Sequence, residues 1–213
     1  MLEVPASSIR ILIVDDHPVV RAGLSSMLST QAELEITGSA PSGEDALVLI
    51  KKNRPDVILL DLRMPGMTGV EMLLALKAAG VSVRVVILTN YETDEDIYRA
   101  VQAGAQGYLL KNTSLQEMVG AIRAVHAGKR YIPRHIASRL AERMVRTDLT
   151  ARELEILKLL ARGPTNKQIG QALGISDHTV RNHVFKIIEK LEASDRTEAA
   201  TKAIQRGLIN VDD

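Results

Sequence analysis

Between residues 9 and 128, short and almost unbroken apolar runs alternate five times with longer segments of helical periodicity. The runs fall at residues 9–14, 34–39, 57–60, 84–88 and 107–110. Continuous rather than alternating hydrophobicity is what strands buried on both faces require, and parallel sheets bury both faces. Strict strand–helix alternation leaves little choice but a parallel, doubly wound α/β sheet, and five strands favour the flavodoxin-like order 2-1-3-4-5. Helix signals fill the gaps. Pro18 suits a first turn, Ser42 precedes Asp45 at capping distance, a helix runs from about Thr68, Thr93 caps the next, and Ser114 with Glu117 forms a capping box. Gly80, Gly104 and Gly128 stand where three of these helices should stop.

The polar residues gain meaning from this frame. Asp15-Asp16, Asp61, Thr89 and Lys111 each stand directly after a different apolar run. In open parallel sheets the ligand crevice lies outside the carboxy ends of the strands. Singly, Asp16 reads as a helix cap, Thr89 as a strand-end hydroxyl and Lys111 as a solvated charge; together they fall on one edge. Carboxylates gathered there repel one another, and a hard divalent cation relieves the repulsion. Mg²⁺ takes one or two carboxylates and keeps places for water and phosphate oxygens. Lys111 and Thr89 add a point charge and a hydroxyl for anionic oxygens. Such a site lets a carboxylate attack phosphorus, chemistry that needs mainly positioning and charge neutralisation. No glycine-rich nucleotide loop is present, so ATP is not the expected donor.

Composition narrows the class. The 213 residues include no cysteine, which excludes disulfides and thiolate metal sites and fits a reducing compartment. No apolar run approaches the roughly 20 residues of a membrane span and no signal peptide is evident, so the expectation is a cytoplasmic protein without a membrane partner. The formal net charge of +1 hides an asymmetry. Residues 1–128 carry 11 Lys/Arg against 15 Asp/Glu, and residues 129–213 carry 16 against 11. An acidic half that handles cations would precede a basic half that handles a polyanion.

The basic half divides again. Residues 129–147 hold six basic side chains and one acidic one, with Ile136, Leu140 and Met144 at helical spacing, and read as an amphipathic linker helix. From residue 148 onward, helix-start signals are dense: Thr150 with Glu153, Thr165 with Gln168, Ser176, and Asp195 with Glu198. Gly174 supplies a tight turn between the second and third of these helices, which makes an all-α helix-turn-helix domain over 148–213. On the third helix, Val180, His183, Val184, Ile187 and Ile188 share one side, with His183 read as a packed core histidine. His178, Arg181, Asn182, Phe185, Lys186 and Glu189 lie opposite. A face with Arg, Asn and an aromatic suits the major groove of double-stranded DNA. Bare protein–protein packing is the plainer alternative for such a bundle.

The Asp-Asp, Asp, Thr, Lys pattern, with LLDLRMPGMTG around Asp61 and GYLLK before Asn112, resembles the receiver domain of bacterial response regulators across residues 9–128. By that resemblance Asp61 is the phosphoacceptor. Asp15, Asp16, Asp61 and the backbone carbonyl of Arg63 bind Mg²⁺, Asp15 through a water, and Thr89 and Lys111 hold the phosphoryl group. Tyr108 matches an aromatic switch, and Arg63 and Tyr91 sit where the family tunes dephosphorylation. Asn90 and Asn112 depart from the family's usual small residue and proline. Residues 148–209 resemble the LuxR-type DNA-binding domain, so the whole is similar to the NarL/FixJ class. That likeness turns Arg181, Asn182 and Phe185 towards bases, with Lys167, Thr179 and Lys190 at the DNA backbone; Lys186, on the same outward face, joins the expected DNA contacts. Phe185 departs from the polar or basic residues common at its position.

The resulting expectation is a receiver domain at 1–128, a linker at 129–147 and a DNA-binding domain at 148–213. It would be phosphorylated by a sensor histidine kinase and would bind DNA as a homodimer once phosphorylated. Its only catalysis would be its own phosphoryl transfer and autodephosphorylation. A regulator independent of phosphate and a phosphatase with an aspartyl intermediate are the alternatives, the latter lacking a candidate general acid.

Overall fold

The computed structural model describes residues 8–90, 93–145 and 148–209. The chain divides into two compact units, Met1–Glu92 with Asp96–Ser138, and Thr93–Glu95 with Arg139–Asp213. The division falls inside the helix Arg134–Val145, within the stretch 129–147.

The first unit carries strands β1 (Ile9–Val14), β2 (Leu34–Ala40), β3 (Val57–Leu60), β4 (Arg84–Thr89) and β5 (Gly107–Leu110) in a parallel sheet of order β2-β1-β3-β4-β5. Between and after them run α1 (Pro18–Leu28), α2 (Gly43–Asn53), α3 (Gly69–Ala78), α4 (Asp94–Ala103) and α5 (Leu115–His126). The flavodoxin-like expectation holds. One sheet face presents Ile11, Ile13, Leu59, Val86 and Leu109 to Leu24 and Leu28 of α1 and Met118 and Ile122 of α5. Alternate residues such as Leu12, Ile58, Ile87 and Tyr108 point the other way and are equally buried.

Local chemistry sets the helix starts. The Ser42 side chain accepts from the Asp45 N–H, and Thr68 and Glu71 cap each other reciprocally at the head of α3. At α5, Ser114 accepts from the Glu117 N–H, but the expected return bond gives way to a hydrogen bond from the Tyr131 hydroxyl to the Glu117 carboxylate at 3.3 Å. Tyr131 is also tied through its backbone. Its N–H donates to Gln106 O at 2.9 Å, and Tyr108 N–H donates to Tyr131 O at 3.0 Å. A residue expected in the linker thus extends the sheet in parallel beside β5 and covers part of its open edge.

After α6 (Arg134–Val145), the second unit contains α7 (Ala151–Ala161), α8 (Asn166–Leu173), α9 (Asp177–Lys190) and α10 (Arg196–Gln205). The apolar stripe expected on α6 is incomplete, since Ile136 is buried whereas Met144 is 62% exposed. Thr150 with Glu153 and Thr165 with Gln168 form full capping boxes, and Asp195 accepts from the N–H groups of Thr197 and Glu198. The core joins Ile156, Leu160, Ile169, Val180, Val184 and Ile187, with Leu149 and Leu154 packed at its margin as a staple. Gly174, at φ +65°, closes α8 in the left-handed conformation. Gly170 lets α8 approach the start of α9, because a Cβ there would lie 2.7 Å from Ile175 O.

Candidate functional site

The carboxy ends of β1, β3, β4 and β5 bring Asp15, Asp61, Thr89 and Lys111 to one edge of the sheet, where Asp61 N–H continues the ladder to Val14 O at 2.9 Å. The Lys111 Nζ lies 2.6 Å from Asp15 Oδ2 and 2.6 Å from Asp61 Oδ2. Both carboxylates are 3% exposed and the lysine side chain 9%, so this is a nearly dry ion triad. Burial alone would push the Lys111 ammonium down; hydrogen bonds and charge from Asp15 and Asp61 outweigh it and hold the group above its usual value. Thr89 is fully buried as the last residue of β4, and its carbonyl accepts from Lys111 N–H at 3.0 Å. That bond, followed by Thr113 N–H to Leu110 O, shapes the turn after β5 with Asn112 in place of a proline.

The turn after β1 aims the remaining acids. Asp15 Oδ1 accepts from His17 N–H at 2.9 Å, and the Arg21 guanidinium holds the Asp15 carbonyl at 2.6 Å. Oxygens of Asp15, Asp16 and Asp61 and a ring nitrogen of His17 all lie within 4.8 Å of one another. Asp16 Oδ1 is shut off from solvent yet accepts no hydrogen bond, although His17 Nδ1 comes within 2.7 Å. A buried anionic oxygen without a donor, beside two further carboxylates, suits a hard divalent cation. Its place in the cluster makes His17 a residue that sequence reasoning missed. The Asp-Asp-His-Pro run was visible, but nothing in the spacing shows that the ring turns back towards the acids.

The segment after β3 completes this end. Arg63 N–H approaches Asp61 Oδ1 at 3.4 Å, while its guanidinium donates to Asp96 of α4 at 3.1 Å. Gly69 opens α3 so close to the strand end that a Cβ would collide with the Asp61 carbonyl and lie 2.9 Å from Leu62 Cα. Tyr108 is fully enclosed and Asn90 is exposed. Tyr91 lies outside the described residues.

A second candidate face lies on α9. Val180, Val184 and Ile187 are buried, whereas His178, Arg181, Asn182, Phe185, Lys186 and Glu189 are exposed, as the periodicity implied. His183 is half-buried, with an enclosed Nδ1 that has no hydrogen-bond partner. Ser176 caps the helix through Thr179 N–H at 3.0 Å, and its hydroxyl also meets the half-buried Thr179 hydroxyl at 2.8 Å. Lys167 is exposed one helix earlier. Lys190 has partners within its own unit. Its ammonium donates to Glu153 at 2.7 Å and to the Asp148 carbonyl at 3.0 Å. Glu153 is 3% exposed, and burial would raise its pKa; the Lys190 and Thr150 hydrogen bonds prevail and hold it below the usual carboxylate range. Lys190, 21% exposed, therefore neutralises a buried carboxylate of its own unit.

Comparison with known proteins agrees with both halves. Residues 11–123 match the family described as "Response regulator receiver domain", and residues 147–203 match "Bacterial regulatory proteins, luxR family". The chain belongs to the response regulators, with a receiver domain followed by a LuxR-type helix-turn-helix domain. Among its relatives is the response regulator protein VraR of Staphylococcus epidermidis, 40% identical over 207 residues that cover 95% of this chain and 99% of that protein. The crystal structure of the response regulator ChrA, from a heme-sensing two-component system, is 40% identical with a TM-score of 0.58, covering 95% and 100% of the two chains. A structure of the RcsB–DNA complex shares the fold at 22% identity and a TM-score of 0.70, covering 93% and 99%. No helix among the described residues is long and apolar enough to cross a membrane.

Proposed function

We propose that this chain is a cytoplasmic transcription regulator whose DNA binding is switched by Mg²⁺-dependent phosphorylation of Asp61 by a sensor histidine kinase. The observation that carries the reading is the buried triad, in which one lysine ammonium sits 2.6 Å from each of two carboxylates at the strand ends. Asp15, Asp16, Asp61 and the Arg63 carbonyl would hold the cation, Asp15 by way of a water. When bound, Mg²⁺ neutralises the gathered carboxylates and the incoming phosphoryl oxygens.

An Asp61 carboxylate oxygen attacks phosphorus, an O–P bond forms, and the P–N bond to the donor imidazole breaks with its electron pair leaving on nitrogen. The Lys111 ammonium exchanges its contact with Asp61 for a phosphoryl oxygen and keeps Asp15. The Thr89 hydroxyl donates to another phosphoryl oxygen. Tyr108, enclosed on the neighbouring strand, takes the space that Thr89 vacates, and this couples the pocket to the β5 edge. Arg63 and Tyr91 set the lifetime of the phosphate. The receiver catalyses only its own phosphorylation and dephosphorylation; the output is a DNA-binding dimer.

On the output side, Arg181, Asn182, Phe185 and Lys186 face the major groove, with Lys167 and Thr179 at phosphates. The test is phosphoryl uptake from a small-molecule phosphoramidate. Wild type should incorporate one alkali- and hydroxylamine-labile phosphate only with Mg²⁺, and Asp61→Asn should incorporate none. Undiminished uptake by Asp61→Asn would refute the acceptor assignment.

A further inference from the structure

Phe185 is the one phenylalanine in the chain, and its ring is 70% exposed. It sits on the outward face of α9, with Arg181 one turn before it and Lys186 beside it, opposite the buried Val180, Val184 and Ile187. No core residue needs the ring, so packing gives no reason for an aromatic at this position. Its setting points to a polyanion: two cationic side chains flank it, and Asn182, a residue suited to base edges, lies three positions earlier within 3.4 Å of His178. Within a charged major groove, the apolar group available to an aromatic ring is the 5-methyl of thymine.

We propose that Phe185 is a specificity-determining residue that seats its ring on a thymine 5-methyl group in the major groove. The inference rests on the DNA-binding reading above and deepens it by naming a base. Arg181 and Phe185 are four residues apart, roughly 6 Å along the helix axis. Base pairs are spaced about 3.4 Å apart. Because a helix in the major groove runs oblique to the DNA axis, the thymine lies one to about two steps from the base that Arg181 reads, and each half-site of the operator carries it.

The experiment uses the full chain with Mg²⁺ and beryllofluoride, and begins by selecting a preferred duplex from a random pool. Each thymine of that duplex is then replaced singly by uracil, which removes only the methyl group. One position per half-site should weaken binding about fourfold, the worth of one buried methyl. Phe185→Lys should erase that difference and Phe185→Leu should keep part of it, with melting temperatures unchanged because the ring is exposed. Uracil effects of equal size in wild type and Phe185→Lys would overturn the proposal. So would a Phe185→Lys variant altered only in oligomeric state, which would assign the ring to a second copy of the chain. A pool that yields no preferred duplex would sink the DNA-binding reading, and this inference with it.

Discussion

The two units solve opposite problems. The first gathers like charges in a nearly dry pocket and holds them there with one lysine; the second spreads charge and an aromatic ring over an open helix face. Asp15, Asp61 and Lys111 lie far apart in sequence and meet only when four strands, β1, β3, β4 and β5, pair. The α9 face is built from six positions of a single helix. A pocket made by long-range pairing can respond as a whole to one phosphoryl group, whereas a local helix face can change its residues without disturbing the fold. Trigger and reader thus follow different physical rules.

Substitution of Lys111 should separate the units most. Lys111→Met leaves two buried carboxylates without their cation and should cost the first unit about 3 kcal/mol, leaving the second unit untouched. Mg²⁺ should return much of that loss in thermal unfolding, because the cation then takes over the neutralisation. Equal melting curves with and without Mg²⁺ would break the link between the triad and a metal site.

Paired glycine substitutions come next. Gly69→Ala drives a methyl into the strand end that carries Asp61, and should cost about 2 kcal/mol in the first unit while slowing phosphoryl uptake. Gly170→Ala presses on Ile175 O and should cost the second unit a similar amount, about 2 kcal/mol, without any effect on uptake. If both variants slowed uptake, the two units would not be separable in the way described.

Two lysines of α9 sharpen the contrast within the second unit. Lys190→Met strands the buried Glu153 and should cost about 2 kcal/mol, a value reduced because Lys190 is partly exposed. Lys186→Ala should leave stability unchanged but weaken DNA binding and lower the salt slope by about one. The reverse pattern would reassign both residues.

The smallest effects lie at opposite ends of the pH scale. Folding raises the Lys111 pKa, so that its stabilisation is complete below the ordinary lysine value of about 10.4 and is lost as pH climbs through the raised one. Glu198 of α10 is held down to about 2 by hydrogen bonds from the Ser194 hydroxyl, Lys202 and the Ser194 N–H. Its contribution is present above the ordinary carboxylate range and lost as pH falls through that value. Thermal melts should therefore lose the Lys111 term at alkaline pH in the first unit and the Glu198 term at acid pH in the second. Lys111→Met and Glu198→Gln should each flatten one limb only.

What the sequence disclosed follows the same division. Apolar runs and capping residues located every helix and strand of the described chain, because those signals are local. Strand order followed from alternation, and with it the meeting of Asp15, Asp61, Thr89 and Lys111. The missed features depend on how backbones lie in space. Tyr131 was assigned to a linker because a single residue pairing with β5 leaves no periodicity to read. It also draws Glu117 out of its capping box. The Lys190–Glu153 bond was not legible because the position of Lys190 on α9 does not reveal that Glu153 of α7 reaches it. His17 carries no signal of its own, because nothing in the Asp-Asp-His-Pro run shows that its ring lies among the acids.

In the proposed switch, the acidic pocket of one unit governs the open face of the other. The most direct test of this coupling is the oligomeric state and DNA affinity of the full chain, measured with Mg²⁺ alone and with Mg²⁺ plus beryllofluoride. A shift to dimer with DNA affinity at least tenfold tighter, absent in Asp61→Asn, is the predicted result. Identical assembly and affinity under both conditions would contradict it and leave a regulator indifferent to phosphate.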